Sequence, residues 1–366
     1  MSNTMIIRSR APLRLGLGGG GTDVSPYNDE YGGCTLSATL NMYAYCTIEP
    51  ADDGHLEFTA ADLGETFRSE ALPALPLDGQ LPLHKGIYNE IVRRYRGGRP
   101  LSFRMITFSD ALPGSGLGSS STMVVAILSA FAEWLHLPLG DYDLASLAYH
   151  IEREQLGLKG GKQDQYSAAF GGINFMEYFP GNKVIVNPLR VKPWVKNELE
   201  DSLVLYYTGR SRDSSAIIEE QIRNTREKVK TPLEAMHEIK RIAIEMKETV
   251  LTGDIEGFYD CVRRGWATKK KASSVITNER LEEIYTYAME NGARAGKVSG
   301  AGGGGFFMFF VNIPEKPRFI KAMESYGGKV FLPKFTEEGV ESWSLGNSLP
   351  KASLGENSKF QIPNSK

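Results

Sequence analysis

The residue types best suited to phosphate chemistry lie close together between positions 113 and 121. They are Pro113, Gly114, Ser115, Gly116, Leu117, Gly118, Ser119, Ser120 and Ser121. Apolar residues follow at positions 124, 127, 128, 131 and 135, the spacing of a helix with one buried face. Glycines let a backbone approach a ligand closely, and the first turn of a helix offers free N–H donors and partial positive charge. The segment therefore predicts a binding loop for an oligophosphate.

Two simpler interpretations of this segment fit less well. A serine N-cap after a loop is common, but a cap requires one hydroxyl rather than a Gly-x-Gly-x-Gly run followed by three serines. A Walker-type loop carries a lysine directly after its last glycine, whereas Ser119 follows Gly118 here. We therefore expect cations elsewhere in the chain to neutralise the charge of the phosphates.

A second glycine-rich segment follows the first predicted strand and ends in an aspartate. Gly16, Gly18 and Gly21 satisfy the Gly-x-Gly-x-x-Gly pattern of dinucleotide-binding folds, so an NAD-dependent oxidoreductase is one alternative. That pattern should open an amphipathic helix, whereas the next residues include a proline and show no apolar stripe. The loop suits a small polar ligand better than a pyrophosphate. Its candidate substrate-binding residues are Gly20, Gly21, Thr22 and Asp23.

Two acidic residues and a third glycine-rich segment complete the candidate chemistry. Glu152 lies near the end of a predicted helix over residues 141–154. Asp164 follows a glycine loop and precedes a short helix of small residues, which would project its carboxylate into a cleft; an ordinary helix N-cap is the alternative. Residues 297–305 contain four consecutive glycines before an apolar strand, which indicates that something must approach this backbone closely.

Composition excludes several classes of function. The chain has 366 residues and a formal net charge of −2, which favours neither nucleic acid nor an anionic membrane as a partner. Its three cysteines and five histidines show neither disulfide nor zinc-ligand spacing. The N-terminus lacks the apolar core of a signal peptide, and residues 123–135 are too short to span a bilayer. We expect a cytoplasmic protein.

Periodicity outlines the elements that must position these residues. It predicts strands near 5–17, 33–50, 56–68, 101–108, 172–178, 183–189, 202–207 and 306–311, and helices near 83–96, 123–135, 141–154, 214–229, 232–250, 254–271 and 278–291. We expect an N-terminal lobe over 1–190, a C-terminal lobe over 191–346 and a disordered tail over 347–366. The lysine run 269–271 is interpreted as a solvated helix end.

The three glycine-rich segments, at residues 11–23, 113–121 and 297–305, resemble in order and separation those of the GHMP family of small-molecule kinases. Pro113-x-x-x-Gly-Leu-Gly-Ser-Ser matches the family's phosphate loop, with Ser121 where alanine is more usual, and Lys297-x-x-Gly-Ala-Gly-Gly-Gly-Gly matches its C-terminal motif. The resemblance covers about residues 5–346. It implies an α/β (α+β) two-lobe fold with mixed sheets, in which ATP, Mg²⁺ and the acceptor bind in the cleft between the lobes.

The resemblance also implies roles for individual residues. Ser119 and Glu152 would bind Mg²⁺, with Glu154 as the alternative carboxylate. Asp164 would take the proton of the acceptor hydroxyl. Arg14 would keep that aspartate ionised and neutralise charge on the transferred phosphoryl group.

Within the family, residues 11–27, 160–166 and 207–212 resemble the bacterial D-glycero-D-manno-heptose phosphate kinases. Those enzymes phosphorylate the anomeric hydroxyl of the heptose 7-phosphate with ATP, so the resemblance implies the same activity here and no macromolecular partner beyond a homodimer. The expected substrate-binding residues are Gly20, Gly21, Thr22, Asp23, Lys162, Arg210, Arg212, Gly302 and Gly303. Among them, Asp23 would bind a sugar hydroxyl.

Two arginines are the candidates for the phosphate of the acceptor. Arg210 and Arg212 follow a predicted strand, and guanidinium groups suit bidentate phosphate contacts. Surface ion pairs with Asp213 or Glu219 are the alternative, and Lys162 could serve either phosphate. For the whole protein, the alternatives are a fucokinase-like or galactokinase-like enzyme acting on a free sugar, and a sugar sensor without catalytic activity.

Overall fold

A computed structural model describes residues 5–111, 113–209 and 215–346. Its N-terminal half contains β1 (Ile6–Gly18), α1 (Tyr27–Tyr31), β2 (Gly33–Pro50), β3 (His55–Ala60), β4 (Glu65–Glu70), α2 (Pro82–Tyr95), β5 (Phe103–Ser109), α3 (Ser119–Leu135), α4 (Asp141–Tyr149), α5 (Gln163–Phe170), β6 (Ile173–Tyr178) and β7 (Val184–Pro188). A π-helical segment, His150–Gln155, continues α4 directly.

The C-terminal half is mostly helical. It contains α6 (Pro193–Ser202), β8 (Leu203–Tyr207), α7 (Ser215–Arg226), α8 (Lys230–Thr252), α9 (Ile255–Ala272), α10 (Glu279–Glu290), β9 (Ala293–Val298), β10 (Phe306–Val311), α11 (Lys316–Ser325), β11 (Lys329–Phe331) and β12 (Glu341–Leu345). A short 3₁₀ segment, Ile313–Glu315, precedes α11. The expected mixture of helices and strands in one α/β fold is confirmed.

The strands form two sheets. The larger has the order β12-β1-β2-β5-β3-β4, with β6 pairing the first part of β2 and β7 pairing β6. The smaller has the order β11-β8-β10-β9. All pairs are antiparallel except β3 with β5, so hairpins and meanders dominate the topology. The register of β1 on β2 shifts at Pro12, where a bulge accommodates the missing N–H of proline.

The helix that follows the glycine-serine segment is buried more completely than its apolar spacing predicts. Every residue of α3 from Ser121 to Phe131 is buried, and the helix packs against β1 and β2 on one side and α4 and α5 on the other. A helix that is apolar around its whole circumference requires such complete enclosure. The central position of α3 gives the loop before it a rigid base.

A shared hydrophobic core joins the two halves of the chain. It packs Leu13 and Leu15 of β1 against Leu203 of β8, Phe258 of α9 and Phe310 of β10, all of them buried. Two further clusters lie under the larger sheet and around the smaller one. Because the shared core lies between the sheets, it fixes how the glycine-rich loops of one half face those of the other.

Two expectations about the strands are corrected. The predicted strand over 56–68 is a hairpin of β3 and β4, which turns at Gly64, a residue with a φ of 66°. The strand β12, which falls within the expected C-terminal lobe, pairs with β1 in the larger sheet. The expected boundary at residue 190 therefore does not follow the sheets at this end, and the expected tail over 347–366 lies outside the described residues.

Other expectations from composition agree with the structure. Cys34, Cys46 and Cys261 are all free and buried. No helix in the described ranges is both long enough and apolar enough to cross a bilayer.

Candidate active site

The three glycine-rich segments meet in one cleft between the two sheets. Its walls include Gly20 and Gly21 after β1, three glycines before α3 and three serines at its start, and Ser299 to Gly302 after β9. The first helix after this glycine segment, α1, has five residues. That segment therefore lacks the long helix of a dinucleotide-binding fold.

The glycines of the second and third segments are explained by their mutual contact. A Cβ atom at Gly116 would lie 2.5 Å from the Ser299 carbonyl oxygen, and one at Gly305 would lie 2.3 Å from that of Ser115. The Ser299 hydroxyl donates to the Gly116 carbonyl at 2.7 Å, and the Phe306 N–H donates to the Ser115 carbonyl at 2.9 Å. Residues without side chains are therefore required where the two loops cross.

Arg14 and Asp164 form an ion pair at the base of the cleft. Arg14 donates from Nε and Nη2 to the same carboxylate oxygen, Oδ1, at 2.7 and 2.6 Å. Its Nη1 donates to the Gly116 carbonyl at 2.6 Å, so one guanidinium joins the carboxylate to the phosphate loop. The Arg14 side chain is buried, whereas 24% of the Asp164 side chain is exposed toward the cleft. This geometry holds a carboxylate next to the loop with one oxygen fixed.

The side chain of Glu152 lies beside the first turn of α3. Its Oε1 atom accepts from Ser121 at 3.0 Å and from Ser120 at 3.4 Å, and its Oε2 atom accepts from Gln165 at 2.6 Å. The π-helical turn of residues 150–155 brings the carboxylate to this position, and such turns are frequent at functional sites. The alternative carboxylate, Glu154, instead pairs with His150 at 2.6 Å and is half-exposed outside the cleft.

The phosphate-loop residues have distinct environments. Ser115 and Ser119 are buried, and their hydroxyl oxygens lie 3.1 Å apart, while Leu117 is fully buried in the shared core. Pro113 and Ser120 are exposed. Gly118, the N-cap residue before α3, has a φ of 79°, and a Cβ atom there would lie 3.2 Å from Asp164 Cγ. The loop and the Arg14–Asp164 pair are therefore adjacent.

The acidic end of the first glycine loop is anchored by backbone groups. The Asp23 carboxylate accepts from the N–H groups of Gly21 at 3.1 Å and of Gln163 at 3.0 Å, and it lines the cleft with Gly20 and Gly21. Thr22 is different, because it is fully buried and its hydroxyl bonds to the carbonyls of residues 19 and 34. The structure therefore places Thr22 in a supporting turn and not on the cleft wall.

Lys162 lies on the other side of α5 from Asp164. It is 1% exposed and lines a separate cavity, with its ammonium 5.1 Å from the centre of the Tyr149 ring. Residues two positions apart at a helix end do not face the same way, so the two side chains line different cavities although they are close in sequence. Burial lowers the pKa of Lys162. Lys162 therefore lines a different cavity from Arg14 and Asp164, and its expected contact with the substrate stays a prediction.

The remaining expected substrate residues divide into three groups. Gly302 lines the cleft, whereas Gly303 donates its N–H to the Ile276 carbonyl at 2.7 Å. Arg210 and Arg212 lie outside the described residues. Ser215, the first described residue after them, lines the cleft.

Sequence reasoning missed three cations that line the cleft, Arg153, Lys159 and Lys269. Arg153 donates to Ser121 at 3.3 Å, and Lys269 donates to the Gly300 carbonyl. Lys269 was interpreted as part of a solvated helix end, but it is 6% exposed, and burial lowers its pKa to about 8. Its position was available from the sequence, because it continues the helical apolar stripe of Val262 and Trp266.

Comparisons with known proteins identify the family. Residues 82–172 match the GHMP kinases N terminal domain, and residues 246–329 match the GHMP kinases C terminal domain. The chain is 47% identical over 339 residues to the D-glycero-alpha-D-manno-heptose 7-phosphate kinase of Campylobacter jejuni, which covers 93% of this chain and 99% of that protein.

Solved structures agree in fold. A D-glycero-D-manno-heptose 1-phosphate kinase from Bacteroides thetaiotaomicron superposes with a TM-score of 0.79 at 47% identity, covering 92% of this chain and 98% of that one. A galactokinase from Lactococcus lactis, solved with galactose, superposes with a TM-score of 0.71 at 16% identity, covering 92% and 95% of the two chains. The low identity of the second comparison supports the fold alone. Sequence and fold together show that the chain belongs to the GHMP kinase family.

Proposed function

We propose that this protein transfers the γ-phosphoryl group of ATP to the anomeric hydroxyl of D-glycero-D-manno-heptose 7-phosphate. The observation that carries the proposal is the Arg14–Asp164 pair directly beneath the glycine-serine loop. Relatives that match over nearly the whole chain at 47% identity are heptose phosphate kinases, which supports this choice of acceptor.

The chain's own residues supply what phosphoryl transfer requires. The acceptor oxygen attacks the γ-phosphorus, the bond from that phosphorus to the β,γ-bridging oxygen breaks, and ADP leaves. The hydroxyl proton passes to Asp164, whose position is held by Arg14. N–H groups at the start of α3 and the guanidinium of Arg14 stabilise the phosphate charge, so positioning and electrostatics supply most of the rate enhancement.

The donor set at the start of α3 fits Mg²⁺. The Glu152 carboxylate and the Ser119 hydroxyl both line the cleft beside the first turn of α3, and both would supply oxygen ligands. No group of three acidic, histidine or cysteine side chains suited to a metal occurs among the residues that the structure describes. Mg²⁺ typically uses one or two carboxylates together with substrate phosphates. When bound, it would neutralise charge on the ATP phosphates.

We expect Glu152→Gln to impair catalysis more than Ser119→Ala. The first substitution removes a charge as well as a ligand, so kcat should fall by roughly 10²-fold, against about tenfold for the second. The Mg²⁺ concentration for half-maximal activity should rise in Glu152→Gln. Titration of both variants with Mg²⁺ at saturating ATP measures this. Full activity of the wild-type protein in excess EDTA would remove the metal from the proposal.

A cationic pocket for the acceptor's own phosphate is part of the proposal. Arg153 and Lys159 line the cleft together with Gly160 and Gly161 of the glycine loop 157–161. Arg210 and Arg212 stay candidates for the same phosphate, because Ser215, the first described residue after them, lines the cleft. A doubly charged phosphate pairs favourably with several guanidinium and ammonium groups.

The acceptor is tested directly by comparing three sugars. We expect heptose 7-phosphate to be phosphorylated with ATP, and the free heptose to be a poor acceptor by about 10²-fold or more in kcat/KM, since one lost charged contact costs about 2–4 kcal/mol. Phosphorus NMR of the product should show a second phosphate coupled to the anomeric proton. The same spectrum reports the anomer.

Heptose 1-phosphate is the third acceptor, because the names of the two relatives differ in the position of the phosphate. With heptose 1-phosphate the anomeric oxygen is already esterified, so we expect no reaction. Preferential use of heptose 1-phosphate, or of free fucose or galactose, would contradict the proposed acceptor while leaving the kinase chemistry intact.

A further inference from the structure

Three buried cations lie together where the glycine-rich loops cross. Arg14 comes from β1, Lys269 from α9 and Lys297 from β9, and each is at most 8% exposed. The pKa of Lys297 is lowered well below its usual value by burial first and then by the like charges of Lys269 and Arg14. Lys269 adjoins both of the other cations, because it lines the cleft together with Arg14 and a smaller cavity together with Lys297.

Too few carboxylates accompany these cations. Asp164 pairs with Arg14, and the Asp23 carboxylate is held by two backbone N–H groups. Within the described ranges, neither lysine forms an ion pair: Lys297 donates to the carbonyls of Gly16 and Leu17, and Lys269 to that of Gly300. Buried charge without a counter-ion is unfavourable, so the cluster is suited to an anionic ligand.

Of the two lysines, only Lys269 reaches the cleft where that ligand binds. It lines the cleft together with Arg14, Asp23 and Gly300. Lys297 does not line this cleft and serves to hold the end of β1. The two lysines thus have different roles although both are buried.

We propose that Lys269 contacts the γ-phosphoryl group of ATP as it is transferred, and that it supplies the cation which the loop lacks after Gly118. The inference rests on the proposed kinase function and adds a residue to the same site. In Walker-type loops, a lysine that contacts the β- and γ-phosphates usually neutralises their charge. Here the same charge would come from α9, across the cleft.

The position of Lys269 favours the transferred group over the acceptor's own phosphate. Its ammonium is bonded to the Gly300 carbonyl, and a Cβ atom at Gly300 would lie 2.7 Å from Gly116 Cα. The carbonyl of Gly116 accepts from Arg14 at 2.6 Å. Lys269 and Arg14 therefore approach Gly116, in the middle of the phosphate loop, from two sides.

Nucleotide binding tests the contact without any acceptor. We expect Lys269→Met to weaken binding of the non-hydrolysable ATP analogue AMP-PNP by about 10- to 100-fold and to leave ADP binding unchanged, because only the former has a γ-phosphate. Isothermal titration calorimetry measures both. Equal weakening of the two nucleotides, or no weakening of either, would overturn the proposal. Failure of the wild-type protein to bind either nucleotide would instead contradict the proposed kinase function.

Turnover measurements distinguish a contact of Lys269 with the γ-phosphate of ATP from a contact with the phosphate of the acceptor. With heptose 7-phosphate, kcat of Lys269→Met should fall by about 10²-fold, and the same factor should apply with the free heptose. A penalty that disappears with the free heptose would assign Lys269 to the acceptor's phosphate and overturn the proposal. Lys270→Met is the matched control, since Lys270 pairs with Glu282 at 3.0 Å away from the cleft, and it should retain wild-type turnover.

Protonation provides a readout that a structural role would not affect. The charged groups that face Lys269 are Arg14 from β1, Asp23 from the following loop and Lys297 from β9. Burial lowers the pKa of Lys269 to about 8, so the free enzyme loses this charge as pH rises through 8. We expect kcat/KM for ATP to decline above about pH 8 in the wild type.

A variant with arginine completes the test. Lys269→Arg keeps its charge at every pH used, so it should regain part of the activity lost in Lys269→Met, with no decline near pH 8. If kcat/KM for ATP of Lys269→Arg declined above pH 8 as in the wild type, the result would contradict a role of Lys269 at the γ-phosphate. Thermal unfolding without nucleotide should place both variants close to the wild type, which would show that they fold.

Discussion

Asp164→Asn should lower kcat by roughly 10²–10⁴ while KM for ATP stays near its wild-type value. Asparagine has the same size and can present an oxygen at the point where Arg14 Nε and Nη2 converge. The geometry beneath the phosphate loop is therefore retained, and only the ability to take the hydroxyl proton is lost. Steady-state kinetics with ATP and heptose 7-phosphate measure the two constants.

Asp29→Asn is the matched control for this substitution. Asp29 is also partly buried and accepts from Ser25 at 2.5 Å, but it does not line the cleft. The substitution Asp29→Asn should leave kcat unchanged. Normal turnover of Asp164→Asn would show that the aspartate has a structural role and that the proton passes directly to the transferred phosphate.

Arg14→Met is expected to lower kcat by roughly 10²–10³ and also to raise KM for ATP. Both effects follow from its contacts, because Arg14 holds the Asp164 carboxylate and donates to the Gly116 carbonyl of the phosphate loop. Arg10→Met is the control on the same strand: Arg10 pairs with Glu341 at 2.7 Å, is 40% exposed and should be dispensable for turnover.

The double variant Arg14→Met/Asp164→Asn tests whether the two residues act as a unit. Residues in direct contact are typically non-additive, and groups of one catalytic unit strongly so. We expect the double variant to be only slightly slower than the slower single variant. If the fold-reduction in kcat of the double variant equalled the product of the two single reductions, Arg14 and Asp164 would contribute independently. That result would contradict the role of Arg14 in holding the base.

The sequence predicted local elements well. Helices α2, α3 and α7 to α10 and strands β1, β2 and β10 begin and end within a few residues of the predicted bounds. Their signals are periodicity, glycine and proline, which act over neighbouring residues. The hairpin of β3 and β4 was predicted as one strand because the turn between them is only four residues long, and the alternation continues on both sides of it.

The composition of the site was also partly available from the sequence. The glycine segments, Arg14, Glu152 and Asp164 stand out by residue type, and the structure brings all of them to one cleft. A motif of contiguous residues predicts the local backbone geometry of a loop. It does not predict which other segment of the chain packs against that loop. Here the partner of each glycine loop is the other loop, as the contacts between Gly116 and Ser299 show.

Side-chain direction and long-range pairing depended on the tertiary structure. Lys162 is adjacent to the motif of Asp164 and faces another cavity, whereas Lys269 lies in a run of lysines and faces the cleft. The strand β12 pairs with β1, and the contact between Arg10 and Glu341 joins residues that are 331 positions apart in the sequence. Sequence by itself determined which residues can do phosphoryl chemistry, because that depends on their functional groups. Which of them share a cleft was decided by packing, because the shared core between the sheets sets the direction of each helix and loop.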